Sequence, residues 1–574
     1  MTIPRAEYPR PQFVREGWYN LNGEWQFEID NGRSGEARGL QQVGVALNDT
    51  ITVPFCPESK LSGLGHTDFM YGVWYKRTVT LDTLAPKTRL HFGAVDYRCK
   101  AFVNGTFVGE HKGGYVSFSF DITDALRVGD NEIAVYAEDD VRDPMIPSGK
   151  QCEQYASRGC HYTRTTGIWQ TVWLEYMPAA HIESVKYYPN VADGSVTVEA
   201  ARCGRGDFAC EIAYAGKPMG RYAAADATGR LTFTVPLAES HLWEVGHGRL
   251  YDVAFSVGDD RVDSYFGLRE VRLDGHKCLI NGRSVFQRLV LDQGFYPDGI
   301  YTAPTDEALE NDIHLSLAVG FNGARLHEKI FEERFLYHAD RLGYIVWGEY
   351  PDWGLDYTDP RNIYAILPEW IEEVGRDFNH PSIVGWCPRN ETWWKMDHTQ
   401  HSPSVELVYD VTKAIDPTRP CIDVSGGYHV KTDVFCVHDY DQNPVTFKEH
   451  YDRLMTDGKL HDWMPQQMTR QTYCGEAAFV SEYGGIRWAD GNKDTDRKTS
   501  WGYGNDVADE DEFFYRFKGL TDALLDNREM FALCYTQLTD VEQEQNGLYT
   551  YARHPKFEAK KLYDIMSRKA AIED

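Results

Sequence analysis

From Asn22 to about residue 178, hydrophobic and polar positions alternate in short runs separated by turn residues. Glu24–Ile29, Thr88–Gly93, Asn131–Asp139 and Gln170–Tyr176 all show this period of two, which predicts half-buried strands. Between two such runs stands Asn104-Gly105, a dipeptide that takes the positive φ angles of a two-residue hairpin turn. Many short strands without helical periodicity predict a jelly-roll β-sandwich over residues 1–179. Over 180–272 the alternation continues in His181–Val191, Arg230–Leu237 and Leu250–Gly258. That length suits an immunoglobulin-like β-sandwich, although the Cys…Trp…Cys spacing of antibody domains is missing.

The pattern changes at residue 273, where apolar runs begin to alternate with stretches of helical period. The strand candidates are Phe286–Asp292, Asn322–Glu328, Tyr344–Tyr350, Ile383–Glu391, Cys421–Gly426, Val434–Tyr440, Ala477–Gly485 and Phe531–Asp540. Between the first two, Leu309, Ile313 and Leu317 line one face of a helix over Asp306–Val319, and Gly320 stops it. Strands and helices in alternation over 273–574 predict a (β/α)8 TIM barrel, with Ile486–Asp509 as a polar insertion. The expected fold class is therefore multidomain: jelly roll, immunoglobulin-like sandwich, barrel.

A net charge of −28 disfavours nucleic acid and anionic membrane surfaces as partners. The start of the chain has no apolar signal region, and no run approaches the roughly 20 apolar residues of a membrane span. The 12 cysteines are irregularly spaced without a Cys-x-x-Cys pair, which reads as reduced, buried thiols in a cytoplasmic protein. Aromatic residues make up 13% of the chain, which suits sugar platforms and β-sheet cores alike. Other chemistries fail on their motifs. His327-Glu328 lacks the second histidine of a zinc protease, Ser425 lacks a nucleophile elbow, and Gly502-x-Gly504 lacks the third glycine of a dinucleotide loop. No cofactor or metal is expected.

A barrel of this type works at the C-terminal ends of its strands. Standing there are Asp292, Arg325 with His327, Glu349, Asn390 with Glu391, His438 to Tyr440, Glu482, and Asp540 with Glu542. Carboxylates on opposite sides of a pocket suit glycoside hydrolysis, where one protonates the leaving oxygen and the other attacks or stabilises an oxocarbenium-like centre. Glu391 and Glu482, ending strands four and seven, are the candidate pair. A separation of about 5–5.5 Å means retention through a covalent intermediate, and a wider one means inversion.

Five motifs in order resemble glycoside hydrolase family 2, the family of β-galactosidases, β-glucuronidases and β-mannosidases. They are Leu21-Asn22-Gly23-Glu24-Trp25, Val73-Trp74-Tyr75-Lys76-Arg77, Phe266-Gly267-Leu268-Arg269, Asn390-Glu391 and Ser481-Glu482-Tyr483-Gly484. The resemblance implies a retaining exo-β-glycosidase with Glu391 as acid/base and Glu482 as nucleophile. It also implies that Asn390 binds the sugar 2-hydroxyl, Tyr440 contacts the nucleophile, and Arg325 and His327 border the sugar. Asp292 and Glu349 are further substrate-binding candidates, and Trp353, Trp393 and Trp394 could stack on sugar. A small glycoside or oligosaccharide is the expected partner, and homo-oligomers are common among such proteins.

For the sugar, a β-D-galactoside is expected. The Asn-x-Lys element of glucuronide-cleaving relatives is missing, since Asn492 and Lys493 are adjacent. A hexuronide stays open because Arg325 or Arg389 could act as a carboxylate fork. Departures at Val290–Gly294 and at Arg389 mark a divergent subgroup and leave a galactofuranoside or arabinofuranoside as another alternative. The stretch Trp347–Pro351 lacks the histidine of magnesium-dependent relatives. Outside enzymology, the alternative is an inactive carbohydrate-binding protein.

Overall fold

The structure is a computed structural model that describes residues 3–392, 400–462, 471–489 and 500–573. Its first part packs two antiparallel sheets face to face. A four-stranded sheet runs Trp18–Asn20, Val172–Met177, Lys87–Phe92 and Phe118–Asp121 in spatial order, against a six-stranded sheet centred on Val73–Leu81 and Gly129–Glu138. Alternating inward residues from both sheets, among them Trp25, Phe27, Tyr75, Phe92, Val135 and Leu174, form one apolar core. The expected hairpin is present. Val103 pairs with Thr106 across Asn104 and Gly105, whose φ angles are 52° and 78°.

The second sandwich is built on a long strand, Ser195–Tyr214, which pairs with His181–Asn190, Lys217–Pro236 and Tyr251–Val257. Arg15 ties the two sandwiches together. Its buried guanidinium donates to Glu175 of the first at 2.9 Å and to Asp260 of the second at 2.9 Å.

In the barrel, seven regular parallel strands follow one another around the sheet. Strands one to four are Gln287–Asp292, Gly323–Leu326, Ile345–Glu349 and Ile383–Cys387; six to eight are Val434–Asp439, Ala477–Gly484 and Met530–Thr536. Strand eight pairs with strand one, as a closing barrel requires. The fifth candidate, Cys421–Gly426, occupies its expected place but touches strand four only through isolated bridges, Trp386 to Cys421 and Asn390 to Ser425. Asp423 explains the irregularity. Its carboxylate accepts from the backbone N–H groups of Val424, Val430 and Lys431 and lies 2.6 Å from His429 Nδ1, so side-chain bonds replace a ladder toward strand six.

The helix between strands one and two runs Asp306–Ala318. Thr305 caps it by accepting from Ala308 N–H, and Leu309 and Ile313 are buried beneath it. None of the cysteines is paired, and most are buried. No described helix is long and apolar enough to cross a membrane.

Candidate active site

Arg325, on strand two, is fully buried at the centre of the barrel mouth. Its Nε donates to Glu349 at 2.5 Å and its Nη1 to Glu482 at 2.8 Å and to the Ser481 carbonyl at 3.0 Å. Its Nη2 donates to Asn390 Oδ1 at 2.6 Å. One guanidinium therefore gathers the ends of strands two, three, four and seven. Glu349 also lies 2.8 Å from His327 Nδ1 and accepts from Glu328 N–H, so it orients Arg325 and His327.

Glu482 is held from two sides. Tyr440 Oη donates to Oε2 at 2.5 Å and itself lies 3.0 Å from Thr536 Oγ1, while Arg325 occupies Oε1. Burial pushes this carboxyl up, but His438, Arg325, His327 and Lys150 outweigh it and hold the group down at about 2. Glu391 stands opposite, in left-handed backbone at φ 49°, where its N–H donates to Ser425. His438 links the pair: Nδ1 lies 2.6 Å from Glu391 Oε1 and 3.4 Å from Glu482 Oε2, and Nε2 lies 3.0 Å from Ser425 Oγ. Burial lowers the His438 pKa, but Glu482 and Glu391 raise it overall, which favours an imidazolium here. Carboxylate oxygens of Glu391 and Glu482 lie within 4.8 Å of each other.

Asn390 is completely buried. Its Oδ1 is used by Arg325, whereas its Nδ2 has no partner among the described residues, leaving a donor available for a ligand hydroxyl. Among the described residues Asp292 makes no side-chain hydrogen bond to Glu391, Glu482 or Arg325. Its carboxylate accepts from Gly294 N–H, and burial and Asp312 push its pKa up. Asp540 is likewise engaged elsewhere, by Gly547 N–H and by Lys556. Arg389 turns away from Glu391, with Nη2 donating to Asn362 at 2.8 Å. Trp353 does reach the site, its Nε1 donating to the Asn390 carbonyl. Trp393 and Trp394, and the Asn492–Lys493 pair, lie outside the described residues.

Four features escape the strand-end survey. His438 was visible as a residue but not as the link between the glutamates. Tyr503, from the insertion, stacks on Tyr440 with ring centroids 3.3 Å apart and planes at 4°. Beyond strand eight, Gln537, Asn546 and Glu544 form a buried hydrogen-bonded chain that ends on Tyr162 of the first sandwich. Finally, Lys150, also from the first sandwich, lies over the Trp353 indole at 3.4 Å from its centroid. Neither Tyr162 nor Lys150 carries a sequence signal, because nothing local marks a sandwich loop as facing a barrel.

Among the described residues, three groups of side chains have metal-ligand proximity. The first is Glu391, His438 and Glu482. The second, Asp439, His450 and His461, stacks its two imidazoles in parallel, so their lone pairs do not converge; the third is His181, Glu183 and Cys203 on the second sandwich.

Comparison with known proteins agrees with this architecture. The description "Glycosyl hydrolases family 2, sugar binding domain" matches residues 66–175, and "Glycosyl hydrolases family 2, TIM barrel domain" matches 274–484, together more than half of the chain. A β-glucuronidase of Paenibacillus borealis is 24% identical, with 97% of each chain covered. A putative β-glucuronidase of Formosa agariphila is 24% identical over 72% of this chain and 51% of its own length. A β-galactosidase of Thermoanaerobacter pseudethanolicus is 27% identical over 61% and 50%. The chain thus spans about half the length of the last two relatives. Among solved structures, a β-glucuronidase of Ruminococcus gnavus superposes with a TM-score of 0.80 at 18% identity, covering 99% of both chains.

Proposed function

Since the chain belongs to glycoside hydrolase family 2, we propose that it is a retaining exo-β-glycosidase with Glu482 as nucleophile and Glu391 as acid/base. The observation that supports this reading best is that an oxygen of each carboxylate lies within 4.8 Å of an oxygen of the other. An inverting pair stands about 6.5–9.5 Å apart, to leave room for a water between carboxylate and sugar.

The chemistry follows from the contacts. Arg325, Tyr440 and His438 keep Glu482 ionised, so it attacks the anomeric carbon as the glycosidic bond breaks. Glu391 delivers its proton to the leaving oxygen. Having given up its proton, Glu391 then takes the proton of the water that hydrolyses the glycosyl-enzyme. Asn390 Nδ2, unpartnered and buried, donates to the sugar 2-hydroxyl.

The test is hydrolysis of aryl β-glycosides combined with trapping by a 2-deoxy-2-fluoro glycoside. Glu482→Gln is expected to lose at least about 10³-fold in kcat, and the trapped sugar should appear on the peptide carrying Glu482. Glu391→Ala should regain turnover of activated aryl glycosides in azide, giving a glycosyl azide of retained configuration. An inverted product, or unchanged turnover in Glu482→Gln, would refute the reading.

For the sugar, the missing Asn-x-Lys element speaks for a β-D-galactoside. A hexuronide is supported by a different observation, the position of Lys150.

A further inference from the structure

Lys150 is a lysine in an unusual position. It is 5% exposed, yet among the described residues its ammonium has no carboxylate at ion-pair distance and no hydrogen-bond acceptor; its one neighbour of note is the Trp353 ring. An ammonium taken out of water without an anion is costly. Burial works against its charge, and Cys160, Glu328, Glu391 and Glu482 outweigh burial and raise its pKa, so it stays protonated.

The placement is built rather than incidental. Ser148 N–H and Gly149 N–H both donate to the Trp353 carbonyl, and Tyr162 N–H donates to the Lys150 carbonyl. Gly149 has φ 54°, and a Cβ there would lie 2.5 Å from the Glu328 carbonyl oxygen, so the loop approaches the barrel as closely as a backbone can. Trp353, under the ammonium, donates to the Asn390 carbonyl, which connects Lys150 to the residue beside the acid/base.

The other cations expected to act as a carboxylate fork are not available. Arg325 is saturated by Glu349, Glu482, Asn390 and Ser481. Arg389 spends Nη2 on Asn362 and keeps Nε and Nη1 without a partner among the described residues, but Glu391 and Glu482 are not among the charges that act most on it, as they are for Lys150. A substrate carboxylate in a cavity already holding Glu391 and Glu482 would be repelled without a cation of its own, whereas a neutral sugar needs none. We propose that Lys150, delivered by the jelly-roll domain, binds the carboxylate of the terminal sugar, so that the substrate is a β-linked hexuronic acid. The proposal rests on the retaining-glycosidase reading and replaces the Asn-x-Lys recognition of glucuronide-cleaving relatives with a cation from a different domain.

The experiment measures kcat/KM for 4-nitrophenyl β-D-glucuronide and β-D-galacturonide beside the matching glucoside and galactoside. The full-length wild type is compared with Lys150→Met and Lys150→Arg. One uronide should be preferred over its neutral counterpart, and that ratio should fall on the order of 100-fold in Lys150→Met, with partial recovery in Lys150→Arg. Preference for a neutral sugar, or a parallel loss on both sugar types, overturns the proposal; a parallel loss would make Lys150 a counter-ion for the glutamates. Either result leaves the retaining mechanism standing if Glu482→Gln still abolishes turnover. Should no aryl glycoside be cleaved, the melting temperature with free D-glucuronate and D-galacturonate, against D-glucose and D-galactose, decides. A uronate-specific rise lost in Lys150→Met supports the proposal, and the absence of such a rise overturns it.

Discussion

The barrel mouth concentrates charge in a few side chains whose states depend on one another. Arg325 neutralises Glu349 and Glu482 together, and His438 stands between Glu391 and Glu482. Burial alone would raise the Glu482 pKa; His438 is first among the groups that bring it down to about 2. The sign of a prediction follows. On the proposed mechanism activity requires ionised Glu482, which the wild type holds well below the ordinary carboxylate range, so this group sets no acid limb near that range. In His438→Gln the main opposing charge is gone and the Glu482 pKa moves up toward the ordinary carboxylate range. The acid limb of kcat/KM should therefore shift up by a pH unit or more, measured on an activated aryl glycoside to limit the demand on Glu391. An unmoved limb would assign that role to Arg325, His327 and Lys150. Residue order places Glu391, Glu482, Asn390 and Arg325 at strand ends, and the fold bonds Arg325 to Glu482 and Asn390. The Asp292 carboxylate, at a strand end as well, bonds Gly294 N–H instead, because a strand end fixes position around the ring but not the direction of a side chain.

At the level of elements, the barrel tolerates one position without a regular strand. Asp423 makes this possible by satisfying three backbone N–H groups and His429 within the Cys421–Lys431 segment. The segment matters to chemistry because Ser425 at its end accepts from Glu391 N–H and supports His438. Asp423→Ala removes a buried carboxylate and strands its donors, at a cost of about 3–5 kcal/mol. Chemical denaturation of Asp423→Ala is expected to show that loss, together with reduced kcat; a loss under about 1 kcal/mol would mean the segment is held by its apolar residues instead. Apolar runs revealed all eight barrel positions, but a run of Cys-Ile-Asp-Val-Ser reads as a strand until Asp423 is seen to bind its own loop. The insertion at Ile486–Asp509 reads as a polar loop, and only its folded path brings Tyr503 onto Tyr440.

Across the molecule, several buried acids make no ion pair among the described residues. Burial pushes Glu58, Glu369 and Glu544 up to about 7, and Asp139 and Asp352 also upward. A carboxyl that stays protonated in the folded chain but ionises when unfolded adds stability below its unfolded pKa. It loses that stability as pH rises toward its folded pKa. His380, His429 and His438, raised by their carboxylate neighbours against burial, act in the same direction above pH 6.5. In the opposite sense, burial holds His161 at about 4 and lowers His91 and His327, which destabilises the fold below pH 6.5. The melting temperature should therefore peak near pH 6 and fall by several degrees toward pH 8.5. A melting temperature that climbs from pH 6 to 8.5 would show that these carboxyls are solvated in the folded protein.

By itself the sequence determined the order of three architectures and the place of Glu391 and Glu482 at the ends of barrel strands. Period-two and period-3.6 patterns are local consequences of which face is buried, and a barrel strand carries its catalytic residue at a fixed end. It also determined that carboxylates would be numerous at the mouth. Tertiary structure alone decided the distance between Glu391 and Glu482, the link through His438 and the turning away of Arg389. It also decided the arrival of Lys150 from another domain. Each of these depends on how residues far apart in the chain pack against one another, and such packing energies leave no periodicity in a single strand of sequence.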